Sequence, residues 1–170
     1  PRRVQNNMKL LFISLGCDKN LVDSEEMLGM LAADGHQIVD DEDEAEVIIV
    51  NTCCFIGDAK EESVNTILEM AEKKKAGTCK VLIVTGCMAQ RYKKEISEEI
   101  PEVDAILGTT SYGEIIKAVK EAQAGRHFEE YKSIDFLPDI SGKRMLTTGG
   151  HFAYLKIAEG CDKHCTYCII

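Results

Sequence analysis

Three stretches of the chain, Leu10-Leu11-Phe12-Ile13, Val47-Ile48-Ile49-Val50 and Val81-Leu82-Ile83-Val84, are apolar at every position. A strand that faces water on one side alternates apolar and polar residues, whereas a strand without alternation needs cover on both faces. Each run is too short for a helix, and each is followed by an amphipathic stretch. Strands covered on both sides and separated by helices form a parallel sheet sandwiched between helical layers. This patterning decides the fold class before any other property of the chain is considered.

Between the runs, apolar residues recur at helical spacing. Leu21, Leu28 and Leu31 mark a first helix, opened by Asn20 with Asp23 three residues on, as in a capping box, and closed by Gly35. A short strand is expected at His36–Val39. A second helix starts at Asp58, with Glu61 three residues on, carries Val64, Ile67, Leu68 and Ala71 on one face and stops near Gly77. Met88, Tyr92, Ile96 and Ile100 repeat every four residues until Pro101 ends that helix. A last strand covers Val103–Leu107. Ser111 and Glu114 then open a helix with Ile115, Ile116, Val119 and Ala122, ended by Gly125. The expectation is an α/β fold with a five-stranded, mostly parallel sheet in the flavodoxin-like order 2-1-3-4-5, helices on both faces. No period indicates internal repeats.

These elements fill residues 8–125, read as one N-terminal domain. Met8 reads as a natural start, so residues 1–7 are read as vector-derived. Residues 126–150 have scattered aromatics, Gly and Thr, and read as an extended linker with room for one edge strand. HFAYLKIAEGC then alternates Phe152, Tyr154 and Ile157, so residues 151–170 are expected to begin a second domain with a strand. A single strand cannot bury its face, so poor order is expected from about residue 130 onward.

Composition narrows the function classes. The 170 residues are 45% hydrophobic and 29% charged, ordinary for a soluble globular protein. The longest apolar runs are strand-sized, so no segment is expected to span a bilayer. The start of the chain lacks the apolar stretch of a secretory signal. A net charge of −9, with no basic patch before residue 130, argues against a phosphate-neutralising surface. The acidic run Asp40–Glu46 reads as a solvated loop. A monomer in the cytoplasm is the expected setting.

Eight cysteines are many for this length. A disulfide scaffold fits poorly, because a regular α/β core needs no staples; thiolates held for metal in a reducing compartment fit better. Cys17, Cys53 and Cys87 each follow a long apolar run. In the order 2-1-3-4-5 those three strands are neighbours, about 4.8 Å apart, so their ends span roughly 10 Å. Their loops lead into helix N-termini, which favour thiolate over thiol. The placement points to one shared metal site; the alternative is three separate buried cysteines acting as small hydrophobes. Cys54 and Cys79 read as bystanders, the first pointing elsewhere and the second at the opposite sheet edge.

Cys161, Cys165 and Cys168 form C-x3-C-x2-C. Three thiolates can hold three irons of a 4Fe–4S cluster and leave one iron open. The alternative is zinc, with His164 completing a Cys3His set; its position directly before Cys165 strains that geometry.

This triplet resembles the radical-SAM signature. Together, SLGCDKNLVDSE (14–25), NTCCFI (51–56), TGCMAQRY (85–92) and YLKIAEGCDKHCTYCII (154–170) resemble the methylthiotransferases over nearly the whole chain from Met8. The run KNLVDSE resembles the type that modifies an aspartate of small-subunit ribosomal protein uS12; relatives acting on tRNA adenosine tend to have Q-M-N in place of D-K-N, and a tRNA target is the alternative.

The resemblance implies that Cys17, Cys53 and Cys87 bind an auxiliary 4Fe–4S cluster. It implies that Cys161, Cys165 and Cys168 bind a second 4Fe–4S cluster, whose open iron chelates S-adenosylmethionine. Reductive cleavage, which needs an external reductant, then yields a 5′-deoxyadenosyl radical that activates a carbon for delivery of sulfur and methyl. The partners implied are uS12 or the small ribosomal subunit. On this reading the chain is the N-terminal part of a longer enzyme, carrying the truncated start of a radical-SAM barrel and inactive alone. Cys54 departs from the family pattern, which usually has glycine there. Two readings of other classes remain: a flavin or nucleotide module, for which SLGCDKN has too few glycines, and a zinc-dependent interaction domain.

Overall fold

The computed structural model describes residues 7–138, 142 and 144–168. Residues 1–6, within the stretch read as vector-derived, lie outside the described residues. In chain order the elements are β1 (Lys9–Ser14), α1 (Asp18–Ala33), β2 (Gln37–Ile38), β3 (Val47–Thr52), α2 (Gly57–Lys75), β4 (Val81–Gly86), α3 (Cys87–Arg91), α4 (Lys93–Glu99), β5 (Ala105–Leu107), a 3₁₀ turn (Tyr112–Glu114), α5 (Ile115–Gln123) and β6 (Phe128–Glu130). All pairings are parallel, in the order β2-β1-β3-β4-β5-β6.

The expected order is present, with a sixth strand added. β6 pairs Phe128–Glu130 with Ala105–Leu107. Its Phe128 amide donates to the Asp104 carbonyl, and the Gly108 amide donates to the Glu130 carbonyl. The Phe-Glu-Glu run has a single apolar residue, so periodicity alone does not reveal it. What places it is the chain reversal after α5, where Gly125 takes a positive φ of 71° and returns the chain beside β5.

Side-chain alternation along the fully buried strands splits the core in two. Ile48, Val50, Leu82, Val84 and Ile106 face α2 to α4, meeting Ile67, Met70, Met88 and Ile96. Val47, Ile49, Val81, Ile83 and Leu107 face the other way, onto Met27 and Leu31 of α1 and Ile115, Ala118 and Val119 of α5. A run apolar at every position is what two such cores require, since each successive residue serves a different one.

Several local expectations are corrected. α1 begins at Asp18 with Cys17 as N-cap, so Asn20 is not the cap. α2 begins at Gly57 with Ile56 as N-cap, and neither helix has a side-chain cap bond. Ser111 takes the N-cap position of the 3₁₀ turn as expected, but its side chain makes no cap bond; its hydroxyl accepts from the Lys132 amide at 2.8 Å. The helix read as continuous from Met88 to Ile100 breaks at Tyr92, whose φ of −115° and ψ of 33° leave helical geometry. Leu68 is 46% exposed, lying off the stripe set by Ile67 and Met70. No strand forms over 152–157: Phe152, Leu155 and Ile157 stay exposed, because among the described residues no neighbouring strand is there to pair with.

Replacing Ile49 with alanine removes a side chain with no exposure at the sheet centre and is expected to cost about 2–5 kcal/mol. Replacing Leu68 is expected to cost less than about 1 kcal/mol, as partly exposed positions do. Urea unfolding of the two variants checks the contrast.

Candidate functional site

The parallel register carries three cysteines to one rim. Ser14 of β1 pairs with Asn51 of β3, and Asn51 pairs with Thr85 of β4. Cys53 and Cys87 each lie two residues past that paired row, and Cys17 lies three past Ser14. All three therefore sit at the carboxyl edge of adjacent strands, where open α/β sheets place ligands. Cys79 lies at the opposite edge, buried, its thiol donating to the Val81 carbonyl at 3.0 Å.

The three positions differ in setting. Cys17 is exposed, Cys53 is buried and Cys87 is half-buried at the first residue of α3. Ser63 of α2 grips the backbone of Cys53 from both sides: its hydroxyl accepts from the Cys53 amide at 3.0 Å and donates to the Cys53 carbonyl at 2.8 Å. Cys54 turns into the core among α2, α3 and the sheet, and burial raises its thiol pKa. Burial pushes the Cys87 thiol up to about 11, against the opposing pull of Lys19. The expected preference of this position for thiolate is therefore outweighed by desolvation while the thiol lacks a strong positive partner.

Asn20 joins the three strand ends. Its side-chain amide donates to the Leu15 carbonyl after β1, at 3.1 Å, and to the Thr52 carbonyl ending β3, at 3.0 Å. Its carbonyl oxygen accepts from the Cys87 thiol at 3.7 Å. Asn51 in turn donates to the main-chain carbonyl of Asn20 and to the Ser24 hydroxyl, at 3.0 and 2.9 Å. Asn20 and Ser24 sit at i and i+4 on the buried stripe that Leu28 and Leu31 continue. A polar pair on an apolar stripe was the sequence signal for this knot, and its capping-box reading concealed it.

Glycine is required at two of these turns. Gly16 has a φ of 101°, and a Cβ there would lie 2.7 Å from the Cys53 Cβ and 3.0 Å from its Sγ. Gly86 has a φ of 96°, and a Cβ there would strike the Asn51 side chain and the Thr52 backbone. Each glycine directly precedes a rim cysteine, so close approach of the strand ends depends on both.

Among the described residues, no group of three or more Cys, His, Asp or Glu side chains converges closely enough to hold a metal ion. The three sulfurs share a rim without being drawn to one point. Their donor chemistry fits a thiolate-bound iron–sulfur group, as does the absence of a Cβ at Gly16 beside the Cys53 sulfur. The triplet is set apart from regular structure: Cys161 and Cys165 are exposed, Cys168 is half-buried, and the Cys168 amide donates to the Cys165 carbonyl at 3.0 Å. His164 has a φ of 48°.

Asn20→Ala would remove the side-chain donor to the buried Thr52 carbonyl, at about 1–3 kcal/mol, and the donor to the half-buried Leu15 carbonyl at a smaller cost; urea unfolding measures the loss. In metal-free protein, iodoacetamide is expected to modify exposed Cys17 well before Cys53, Cys54 and Cys79. The rate at Cys87 should rise about tenfold per pH unit between 7 and 9, because a raised pKa keeps the thiolate a minor species over that range. Peptide mass spectrometry over time reads both.

No helix among the described residues is long and apolar enough to cross a membrane. Comparison with known proteins gives the chain its relatives. It is 63% identical over 163 residues to ribosomal protein uS12 methylthiotransferase RimO of Lachnoclostridium phytofermentans, covering 96% of this chain and 37% of that protein. The RimO proteins of Clostridioides difficile, 51% identical over 163 residues, and Solibacter usitatus, 52% over 164, are each matched by 96% of this chain, which covers 37% and 34% of them. The chain thus spans little more than a third of the length of these relatives. Residues 9–108, from β1 to the end of β5 and the rim cysteines between them, match uncharacterized protein family UPF0004, and the chain belongs to that family.

Proposed function

We propose that this chain is the N-terminal part of a methylthiotransferase that modifies an aspartate of ribosomal protein uS12, and that its α/β domain holds the auxiliary 4Fe–4S cluster on Cys17, Cys53 and Cys87. The observation that carries the reading is the placement of these cysteines at the carboxyl ends of β1, β3 and β4, joined through Asn20. Cys161, Cys165 and Cys168 would hold the second 4Fe–4S cluster, with S-adenosylmethionine. The relatives cited are all named for uS12, which supports a protein target over tRNA.

When bound, these groups supply the radical, sulfur and methyl chemistry. The chain's own part is to bind and orient. Ser63 fixes the Cys53 backbone, Asn20 ties the three loops, and Gly16 and Gly86 let them approach. Lys19 lies close enough to Cys87 to favour its ionised form, which eases ligation by thiolate. The working protein is proposed to act as a monomer in the cytoplasm, with the small ribosomal subunit and a reductant as partners, and the chain alone is expected to be inactive.

Anaerobic reconstitution tests the site. The α/β domain is expected to take up about four irons with a brown chromophore, as a 4Fe–4S group requires. That uptake should be lost in Cys17→Ala, Cys53→Ala and Cys87→Ala and kept in Cys79→Ala. A colourless zinc protein, a bound flavin, or iron uptake that ignores the three rim variants would overturn it.

A further inference from the structure

Two acids of α1 are buried where a surface helix ordinarily keeps acids in water. The Glu25 side chain has no exposure and that of Asp23 has 5%. A lone carboxylate at such depth is costly and must be paired. Both are paired with residues more than a hundred positions further along the chain.

Glu25 meets the segment at 144–147. Arg144 Nε donates to Oε2 at 2.6 Å, with a second guanidinium nitrogen on the same oxygen. The Thr147 amide and hydroxyl donate to Oε1 at 2.6 and 2.8 Å, and the Met145 amide donates to the Glu25 main-chain carbonyl at 2.9 Å. Burial raises the proton affinity of Glu25, but the bonds from Thr147 and Arg144 outweigh it and hold the carboxyl below its usual range.

Asp23 closes a ring of four charges. It pairs with Lys19 at 3.5 Å and with Lys156, and both cations also pair with Glu159, Lys19 at 2.9 Å. Arg144 Nη1 donates to the Tyr154 carbonyl at 2.7 Å, linking the two groups of contacts. Apolar burial contributes little to the outer part of this docking: Leu155 is 84% exposed and Ile157 89%. Directional polar contacts therefore set where the segment lies, and one register satisfies them all. The ion pair Lys19–Glu159 joins a residue two past Cys17 to one two before Cys161.

We propose that Asp23 and Glu25, with Lys19, Arg144, Lys156 and Glu159, are positioning residues that fix residues 144–159 on α1 and so set the separation between the rim cysteines and the triplet. The consequence for the clusters rests on the two-cluster reading above; the docking of the segment does not.

The test uses Arg144→Gln and Lys156→Met, which change residues of the segment rather than of the α/β core, beside Glu25→Gln and an exposed-pair control, Glu98→Gln. Native-state amide exchange in the 170-residue chain is the first readout. Lys156→Met changes no hydrogen-bond partner of the Met145 and Thr147 amides. It is nevertheless expected to speed their exchange about tenfold, because local opening releases the segment as a unit. The second readout is magnetic coupling between the two reduced clusters in a full-length protein carrying this chain. It should shift in all three latch variants at unchanged iron content and stay fixed in the control. Exchange within twofold of the parent overturns the anchor, and faster exchange with unchanged coupling overturns the positioning role. Failure of the clusters to assemble in the parent overturns the two-cluster reading while the exchange result still decides the anchor.

Discussion

Parallel hydrogen bonding among β1, β3 and β4 is the constraint on which the rest of the molecule depends. Parallel neighbours end at the same edge, and here the paired row Ser14–Asn51–Thr85 brings them to that edge almost level. A register slip of one residue would turn every side chain of a strand to the other face. With two distinct cores, one built on Ile48 and Leu82 and the other on Ile49 and Ile83, such a slip would repack both at once. The hydrophobic interior and the position of the rim cysteines are thus specified by the same interaction.

Beneath the exposed Cys17, the inner part of the rim is polar and buried, an expensive combination unless every group is paired. Asn20, Ser24, Asn51, Thr52 and Ser63 meet that condition with one another and with the strand-end carbonyls. Apolar packing could hold the strands together equally well. It could not set the relative height of three loops, which directional bonds of fixed length do. The same division of labour recurs at the outer face of α1, where Asp23 and Glu25 set the place of a distant segment that buries little apolar surface.

The long strands were legible because each residue of VIIV or VLIV has a core to enter, and so short a β-branched aliphatic run suits a strand covered on both faces better than a helix. Strand order followed, and with it the shared edge of Cys17, Cys53 and Cys87. The side-chain caps expected at Asn20, Asp58 and Ser111 do not form, because these residues look like caps in isolation whereas tertiary partners claim Asn20 and Ser111 for other bonds. The linker reading left room for an edge strand in residues 126–150, which β6 fills, but periodicity could not place it because only Phe128 in it enters a core. The docking on α1 is not legible in sequence: Asp23 reads as part of a capping box with Asn20, nothing local marks Glu25, and their partners Lys156, Arg144 and Thr147 lie more than a hundred positions away.

The outer strands have a consequence for solubility. A sheet with such aliphatic centre strands would be a template for edge-to-edge polymerisation if its margins were long and bare. Among the described residues, one margin is β2, two residues, and the other is β6, three residues of which two are glutamates. A second molecule arriving at either margin finds too few open backbone groups to extend the sheet, and at β6 it also meets negative charge. The strands most prone to stack are thereby kept four deep in the interior, guarded by two that are too short to recruit.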